Sequence, residues 1–338
     1  MRFPVPDADA YAAARTRLDA LVKPVGALGR LEDLAAWLSA AHGVVPPRPL
    51  DDVRVVIFAG DHGVRNVSAY PREVTAAMVR VFLAGKSGVN VLARQVGARV
   101  RVLDIAVDDD LDGVPEAVRA HKIRRGSGAI DTADALAPGE AERAYAAGRA
   151  VADEEVDAGA DLVIPGDMGI GNTTVAAALV AACLDLPAEE VVGTGTGIDP
   201  AGRAHKVDVV TAALTRSAGR IADPFSLLTT LGSACAAATA GFLVQAAARG
   251  VPVLLDGVFS GAAALVAHRI EPAAARWWLA GHRSAEPSHS LALDALGLTP
   301  VLDLGLRLGE GSGAVQAVPT LRAARAVLAE MGLLADLG

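Results

Sequence analysis

Apolar positions along the chain follow two spacings in turn, which predicts alternating strands and helices. Short β-branched runs predict strands at "VRVVIFAG", "ARVRVLDIAV", "DLVIPG", "VVGTG", "VPVLLDG", "WWLAG" and "VLDLGLRL". Between these runs, apolar residues recur every three or four positions, as they do on one face of a helix. This alternation is typical of an α/β fold: a mostly parallel, Rossmann-like sheet with helices on both faces.

Both ends of the chain also have helical patterns, with capping residues at their limits. The predicted terminal helices cover 7–21, 30–43 and 319–337. We expect these helices to form a small helical domain from residues 1–45 and 315–338. The large α/β domain would then cover residues 46–314.

The composition fits this architecture and narrows the classes of partner. Hydrophobic residues make up 52% of the 338 residues but aromatic residues only 4%, so the core must consist mainly of Ala, Val and Leu. The formal net charge of −8 argues against nucleic acids and acidic membranes as main partners. Cys183 and Cys235 lack metal or redox spacing and the N-terminus lacks a signal-peptide core, so we expect a cytoplasmic protein with two reduced, buried thiols.

One uncharged stretch, 226–248, is long enough to cross a bilayer. It consists largely of Ala, Thr, Ser and Gly, with Gln245 inside, and these residues contribute little to membrane insertion. We therefore expect a buried, closely packed helix here and no contact with a membrane.

Polar, glycine-bearing turns follow six of the predicted strands. They are "GDHGV", "GDMGIGNTT", "GTGTGID", "DGVFSGAAAL", "GHRSAE" and "GEGSGA". In open α/β sheets, ligands bind outside the carboxyl ends of the strands, so these turns should converge on one ligand site. A solvated turn explains any one of them, but it explains six poorly.

Two of these turns have features of a phosphate site. "GDMGIGNTT" joins a strand to a helix, where backbone amides and the hydroxyls of Thr173 and Thr174 can hold a phosphate; ordinary helix capping by Asn172 or Thr173 explains the same residues. Lys206, beyond "GTGTGID", is either a phosphate counter-charge or a solvated helix lysine. "GDMGIGNTT" is not a dinucleotide fingerprint, because the required third glycine is missing.

Candidate metal ligands are few. The acidic stretch "AVDDDLDG" resembles the paired acids that hold diphosphate-activated ribose and magnesium, but the Thr-Gly turn that should follow is missing. His62, in "GDHGV", has no partner histidine at metal-ligand spacing. We predict no metal site and expect His62 to orient a loop or contact a ligand.

Seven stretches together resemble the signature stretches of one family, in order from Lys23 to Ala314. They are "KPVGALGRLE", "FAGDHGV", "VSAYPREVT", "GDMGIGNTT", "GTGTGID", "DGVFSGAAAL" and "LGLRLGEGSGA". The family is the nicotinate-nucleotide:dimethylbenzimidazole phosphoribosyltransferases of cobalamin lower-ligand synthesis. The resemblance implies a Rossmann-like sheet domain, a small helical domain from both chain ends, and a homodimer.

The resemblance also implies a reaction: nicotinate mononucleotide and 5,6-dimethylbenzimidazole give α-ribazole 5′-phosphate and nicotinate. The local sequence around Glu310 fits an ordinary solvated turn. In the resemblance, Glu310 matches the family's catalytic base. The implied phosphoribosyl-binding residues are Gly169, Gly171, Asn172, Thr173, Thr174, Gly195, Gly197 and Lys206. The pyridine departs as a neutral ring and no diphosphate leaves, so neither a general acid nor magnesium is needed, and we expect no cofactor.

The acceptor ring is expected to lie between apolar walls. The candidate residues are Tyr70, Met78, Met168 and Leu308. Such walls would raise the pKa of Glu310 toward neutrality, which suits a base.

The chain departs from the family's pattern at two places in the site. Asp167 stands where the family usually carries Glu, so it keeps a carboxylate as a second catalytic candidate. Ala77 and Met78 stand where members often carry a glutamine near the acceptor. The acceptor therefore stays open among dimethylbenzimidazole, adenine or another purine, and a phenol.

Two functions of other classes are compatible with the fold. A nucleotide-binding regulator would keep the phosphate loops but would not need Glu310. A nicotinamide-dependent dehydrogenase is disfavoured by the missing dinucleotide fingerprint.

Overall fold

A single parallel sheet forms the centre of the protein in the computed structural model, which describes residues 3–337. The strands are β1 Val53–Gly60, β2 Arg99–Ala106, β3 Leu162–Met168, β4 Val253–Leu255, β5 Trp278–His282 and β6 Pro300–Leu302. Their order in the sheet is β2-β1-β3-β4-β5-β6, and all five neighbouring pairs are parallel. The predicted Rossmann-like α/β fold is confirmed.

Helices connect the strands and cover both faces of the sheet. They are α1 Ala8–Asp19, α2 Arg30–His42, α3 Val74–Leu83, α4 Gly88–Gln95, α5 Glu116–Arg119, α6 Glu140–Asp157, α7 Asn172–Leu184, α8 Ala188–Val191, α9 Pro200–Ser217, α10 Pro224–Leu231, α11 Ala234–Ala248, α12 Val258–Ile270, α13 Pro287–Leu296 and α14 Ser312–Glu330. Short 3-10 helices cover Pro272–Trp277 and Leu334–Leu337.

Alternate residues of the strands supply two separate cores. In β1, Val56 and Phe58 pack with α6, α7, α11 and α12, while Val55 and Ile57 pack with α1, α2, α4 and α14 on the other face. Successive side chains of a strand point to opposite faces, so a run that is buried throughout becomes continuously apolar. This explains why "VRVVIFAG" has no polar alternation apart from Arg54, whose guanidinium pairs with Asp52 at the start of the strand.

The helices from the two ends of the chain pack against one another. α1 contacts α2, and α14 contacts both. α14 also contacts β5 and α4, so its buried side chains belong to the same core as one face of the sheet.

Some predicted elements differ in the structure. "VVGTG" is not a strand: Val191 ends the short helix α8, and Val192 is buried without joining the sheet. Apolar burial next to α7 gives these valines the same pattern as a buried strand. In "VLDLGLRL" the strand ends at Leu302, and 303–309 is an irregular segment across the site.

Two helix boundaries were also predicted incorrectly. The last helix begins at Ser312 and contains Pro319, whose exposed position accommodates the ring. The stretch 226–248 is two helices, α10 and α11, because the Ser233 hydroxyl accepts a bond from the Ala236 N–H and starts a new helix. α11 is buried between the sheet and α6, which agrees with the expected burial of this stretch.

Another segment, Val74–Gln95, has the length and composition to cross a membrane. It consists of α3 and α4, which are separated by a turn at 84–87 with Gly85 at φ 70°. Of the two thiols, Cys235 is buried as predicted, whereas Cys183 is only half-buried.

Candidate active site

The polar turns meet at the carboxyl edge of the sheet, around the point where the strand order reverses. The chain passes from β1 outward to β2 and then returns to β3 on the other side of β1, which makes β1 and β3 the switch point. A small cavity of about 70 Å³ lies beside β3. Its walls are formed by Asp167, Asn172, Thr173, Gly195, Thr196, Gly257, Val258, His282, Ser284, Glu286, Arg307, Leu308 and Gly309.

Glu310 lies next to this cavity in an unusual backbone conformation. Gly309, Glu310 and Gly311 are three consecutive residues with positive φ, at 77°, 66° and 89°. A non-glycine residue in this region costs about 1–3 kcal/mol and is found mostly at functional sites. The two glycines allow the chain to continue left-handed on either side, so only Glu310 is strained.

The surroundings of Glu310 leave little space for other atoms. Its side chain is 5% exposed, and Oε2 accepts a hydrogen bond from the Val89 N–H at 3.4 Å, at the start of α4. A Cβ on Gly88 would lie 2.7 Å from Leu308, and a Cβ on Gly166 would lie 2.5 Å from the Glu310 carbonyl oxygen. Glycine at both positions allows α4 and β3 to approach the segment that carries the carboxylate.

Asp256, at the end of β4, fixes the backbone that follows Glu310. It is fully buried and accepts hydrogen bonds from the N–H groups of Gly311 at 3.1 Å and Ala314 at 2.9 Å. Its carboxylate therefore caps α14 at the residues that follow Glu310. This cap comes from 55 residues away in sequence, which is why the sequence pattern did not locate the start of α14.

Three carboxylates thus lie close together at this edge of the sheet. Burial raises the pKa of Glu310 to about 7, with the Asp256 charge adding to the rise and the Val89 N–H opposing it. Burial also raises the pKa of Asp167 to about 7; the charges of Asp256 and Glu310 add to this, and the Asn172 amide opposes it. Groups near neutrality can gain and lose protons under physiological conditions.

At the other end of the cavity, Thr173 and Lys206 come together. The fully buried Lys206 Nζ donates to Thr173 Oγ1 at 2.8 Å and lies 3.3 Å from where a Cβ of Gly195 would be. Burial lowers the pKa of Lys206 to about 8, with Glu286 opposing the shift. The interpretation of Lys206 as a solvated lysine is therefore wrong.

The backbone amides of the two glycine loops are largely engaged already. The Gly195 N–H donates to Glu286 at 2.7 Å, and the Gly197 N–H donates to the Thr194 carbonyl at 2.9 Å. In the other loop, the N–H of Thr173 donates to the Asn172 side chain, and the N–H of Thr174 donates to the Gly171 carbonyl. Side chains are therefore better placed than these amides to hold an anion here.

The remaining predicted phosphoribosyl residues lie at different depths. Asn172 and Thr173 line the cavity, whereas Thr174 is fully buried within α7. Gly169 packs against the end of β1, and Gly171, at φ 92°, precedes α7. Gly197 lies beside the Arg307 guanidinium. These three glycines shape the loops behind the cavity wall.

The four predicted acceptor residues are only partly brought together. Leu308 lines the cavity and contacts Gly88. Met168, next to Asp167, and Met78, on α3, are half-buried against one core. Tyr70 is 56% exposed and lines a neighbouring hollow with Ile170 and residues 64–72.

His62 is buried beside the glycines of the loop that precedes α7. Its ring packs against Phe259, with centroids 5.8 Å apart, and lies under Gly169. Burial lowers its pKa to about 4. Within residues 3–337, no group of three or more His, Cys, Asp and Glu side chains could hold a metal ion.

Four ionisable residues of the cavity and its support were not predicted from the sequence. They are Asp256, His282, Glu286 and Arg307. All four lie within or directly beside the six glycine-bearing turns. The local sequence of these turns does not distinguish the four side chains from their neighbours. Their roles follow from contacts between turns that are distant in sequence.

Comparison with known proteins identifies relatives over nearly the whole chain. A family model described as "Phosphoribosyltransferase" matches residues 3–338. The nicotinate-nucleotide--dimethylbenzimidazole phosphoribosyltransferase of Mycolicibacterium paratuberculosis is 56% identical over 335 residues, covering 98% of this chain and 95% of the relative. The protein of the same name from Mycobacterium tuberculosis is 57% identical over 335 residues, with coverages of 98% and 92%.

Solved structures agree with this assignment. The crystal structure of the nicotinate-nucleotide-dimethylbenzimidazole phosphoribosyltransferase from Thermus thermophilus is 43% identical, covers 98% of both chains and superposes with a TM-score of 0.91. A structure of CobT from the same organism is 44% identical, with a TM-score of 0.92 and coverages of 97% and 98%. The chain belongs to the nicotinate-nucleotide--dimethylbenzimidazole phosphoribosyltransferase family.

Proposed function

We propose that this enzyme transfers the 5-phosphoribosyl group of nicotinate mononucleotide to 5,6-dimethylbenzimidazole, giving α-ribazole 5′-phosphate and nicotinate, in the lower-ligand branch of cobalamin biosynthesis. The main structural support is Glu310: a buried carboxylate with a pKa near 7, held in a strained conformation at the edge of the sheet. A binding protein would have no use for such a group, whereas a transferase needs a base.

The chemistry explains why one base is enough. The pyridinium of the donor leaves as a neutral ring, so no acid has to protonate it. The benzimidazole attacks the anomeric carbon with one nitrogen and becomes cationic, and Glu310 removes the proton from its other nitrogen. General-base catalysis of this kind is typically worth about 10²–10⁴ in rate. A single displacement converts the β-nucleotide into an α-product.

Asp167 and Asp256 contribute negative charge where positive charge develops. The anomeric carbon gains cationic character as the pyridine leaves, and preorganised opposite charge stabilises such a transition state. Asp167 is oriented by the Asn172 amide on the cavity wall, whereas Asp256 acts from behind Glu310. Asp167 is therefore a direct candidate for contact with the substrate, and Asp256 is a positioning residue.

The two ends of the cavity fit the two ends of the donor. Thr173 and the ammonium of Lys206 suit the 5′-phosphate, because they offer a hydroxyl and a positive charge beside Gly195. Leu308 provides apolar surface on the side of Glu310, and Met168 and Met78 are our candidates for the rest of the acceptor site. Tyr70 lies on an exposed segment and would have to move inward to cover the acceptor ring.

The cavity is too small to hold the substrates without movement. Its volume is about 70 Å³, whereas ligand sites typically measure about 300–1,000 Å³. Segment 303–309 forms part of the cavity wall and contains two glycines with positive φ, Gly305 and Gly309. It is therefore placed to move aside when the substrates enter.

We also propose a cytoplasmic homodimer of subunits with two domains, 1–45 with 315–338 and 46–314. The mutual packing of α1, α2 and α14 supports the smaller domain. The exposed apolar side chains Leu83 and Val91, on α3 and α4, support a partner surface near the active site. Light scattering on the purified protein would give the mass of two chains; the mass of one chain would contradict the dimer.

The function is tested by product analysis with a chelator present. The protein is incubated with nicotinate mononucleotide and dimethylbenzimidazole, and nicotinate and α-ribazole phosphate are followed by chromatography and mass. Product with dimethylbenzimidazole supports the proposal. Product only with adenine, another purine or a phenol would change the acceptor, and ligand-induced stabilisation without any product would favour a binding protein.

A further inference from the structure

Arg307 is a cation on the cavity wall that the proposed mechanism has not used. Its Nη1 donates to the Gly195 carbonyl at 3.0 Å, and its guanidinium lies 3.6 Å from where a Cβ of Gly197 would be. A guanidinium has five N–H donors, and this bond uses one of them. Within residues 3–337, no carboxylate lies within 4.0 Å of the charged nitrogens of Arg307 or Lys206.

The surroundings of Gly195 need more positive charge than Lys206 supplies. Glu286 accepts the Gly195 N–H and is almost fully buried, so it places a negative charge beside the phosphate end. Lys206 lies behind Thr173 and is not itself on the wall of the cavity. A dianion that enters next to Glu286 therefore requires a second cation that it can touch, and Arg307 is adjacent.

Arg307 is also on the segment that leads to the base. It lies between Gly305, at φ 66°, and Gly309, at φ 77°, and Glu310 follows three residues after it. Leu308, the next residue, contacts Gly88. Any ligand that holds the guanidinium therefore fixes the position of the whole segment, including the start of the left-handed turn at Glu310.

We infer that Arg307 binds the 5′-phosphate of the donor together with Thr173 and Lys206, and that this contact closes segment 303–309 and places Glu310 for proton removal. The inference rests on the proposed function, because it identifies the part of the donor that this side chain recognises. The bond to the Gly195 carbonyl holds the guanidinium at the cavity wall and leaves its other N–H donors for the phosphate. Charge-assisted, bidentate hydrogen bonds to a phosphate are stronger than a bond to a neutral carbonyl.

The experiment compares two donors, nicotinate mononucleotide and nicotinate riboside, which lacks the phosphate. Arg307→Ala should lower kcat/KM for the mononucleotide about 10–100-fold, the usual size of one lost charge-assisted bond. For the riboside it should change kcat/KM less than about threefold. If Arg307 only tied the loop to Gly195, both donors would lose by the same factor, and the inference would be overturned.

Added phosphite dianion gives a second comparison. In the wild type it should activate turnover of the riboside, because it supplies the phosphate contact without the covalent link. In Arg307→Ala this activation should disappear. Activation of equal size in both proteins would contradict the inference. Arg220→Ala, at an exposed arginine that pairs with Asp134, is the matched control for net charge and should behave as wild type.

Failure of the proposed function gives a different result from failure of this inference. If the wild type transfers no phosphoribosyl group to any acceptor, the affinity for inorganic phosphate is measured by calorimetry. If phosphate binds Arg307→Ala at least tenfold more weakly than the wild type, the contact between Arg307 and phosphate is supported even without the proposed function. Equal affinities would overturn it.

Discussion

A carboxylate between two glycines has a definite purpose at the scale of the residue. Glu310 occupies a left-handed conformation that costs it about 1–3 kcal/mol, and Gly309 and Gly311 continue that conformation on both sides. The turn directs the side chain toward Val89 at the start of α4, into a site from which water is largely excluded. Asp256 keeps this geometry by binding the next turn of backbone.

The Asp256 charge should be visible in the pH dependence of the reaction. Glu310 interacts electrostatically with Asp167 on β3 and with Asp256 after β4, and Nε2 of His282 lies 3.5 Å from the Asp256 carboxylate. Since kcat/KM requires the ionised base, it should fall below about pH 7 in the wild type. Asp256→Asn removes a negative charge that raises the pKa of Glu310, so the acid limb of the kcat/KM profile should move to lower pH. A variant whose rate falls without any movement of that limb would assign Asp256 a purely structural role.

Removing the charge of Lys206 should keep or raise the stability of the fold and weaken the binding of the donor. The buried ammonium of this lysine donates a hydrogen bond to Thr173, and burial lowers its pKa to about 8. Lys206→Met keeps the length of the stem and removes the charge, so the melting temperature should stay equal or rise. KM for nicotinate mononucleotide should rise about 10–100-fold. Steady-state kinetics and calorimetry check both, and unchanged KM would remove Lys206 from the phosphate site.

At the scale of elements, the base depends on the contact between β3 and the segment before α14. Gly166 of β3 lies against the Glu310 backbone, and Gly88 at the start of α4 lies against Leu308. Two elements that are distant in sequence thus confine a segment of irregular structure. The site is rigid where Glu310 is attached and adjustable at 303–309.

Adding one methyl group to β3 should therefore disturb catalysis. In Gly166→Ala the new Cβ would lie 2.5 Å from the Glu310 carbonyl oxygen, and neither backbone can yield easily. We expect a loss of about 1–3 kcal/mol in the free energy of unfolding and a lower kcat. Denaturant titration and kinetics measure the two effects. Gly332→Ala, where the nearest atom is 3.7 Å from the added Cβ, should leave both nearly unchanged.

At the scale of the whole molecule, the sequence predicted the features that depend on local periodicity. The parallel sheet, the helices at both ends and the position of the polar turns all follow from the spacing of apolar residues and glycines. The start of α14 did not, because Asp256 caps it from a distant strand. Nor did the helical end of "VVGTG" or the burial of Lys206, since both depend on packing between segments that a local pattern does not describe.

The raised pKa values of the active site should also affect global stability. The folded state binds protons at Glu310 and Asp167 up to about pH 7, whereas the unfolded chain releases them near pH 4. The contribution of these two groups to the free energy of unfolding is therefore fully present below about pH 4, and it is lost as the pH rises through 7. Glu310→Gln should raise the melting temperature by roughly 2–5 °C at pH 8 and by almost nothing at pH 4. A difference independent of pH would contradict a buried, ionised base.

The role of Glu310 as the base is tested most directly by the rate of Glu310→Gln. With saturating nicotinate mononucleotide and dimethylbenzimidazole, kcat of this variant should fall about 10²–10⁴-fold, because the amide cannot accept the proton. The control is Glu142→Gln, an exposed position on α6, which should retain the wild-type rate. An unchanged kcat in Glu310→Gln would contradict the assignment of Glu310 as the base, even if the enzyme makes the expected product.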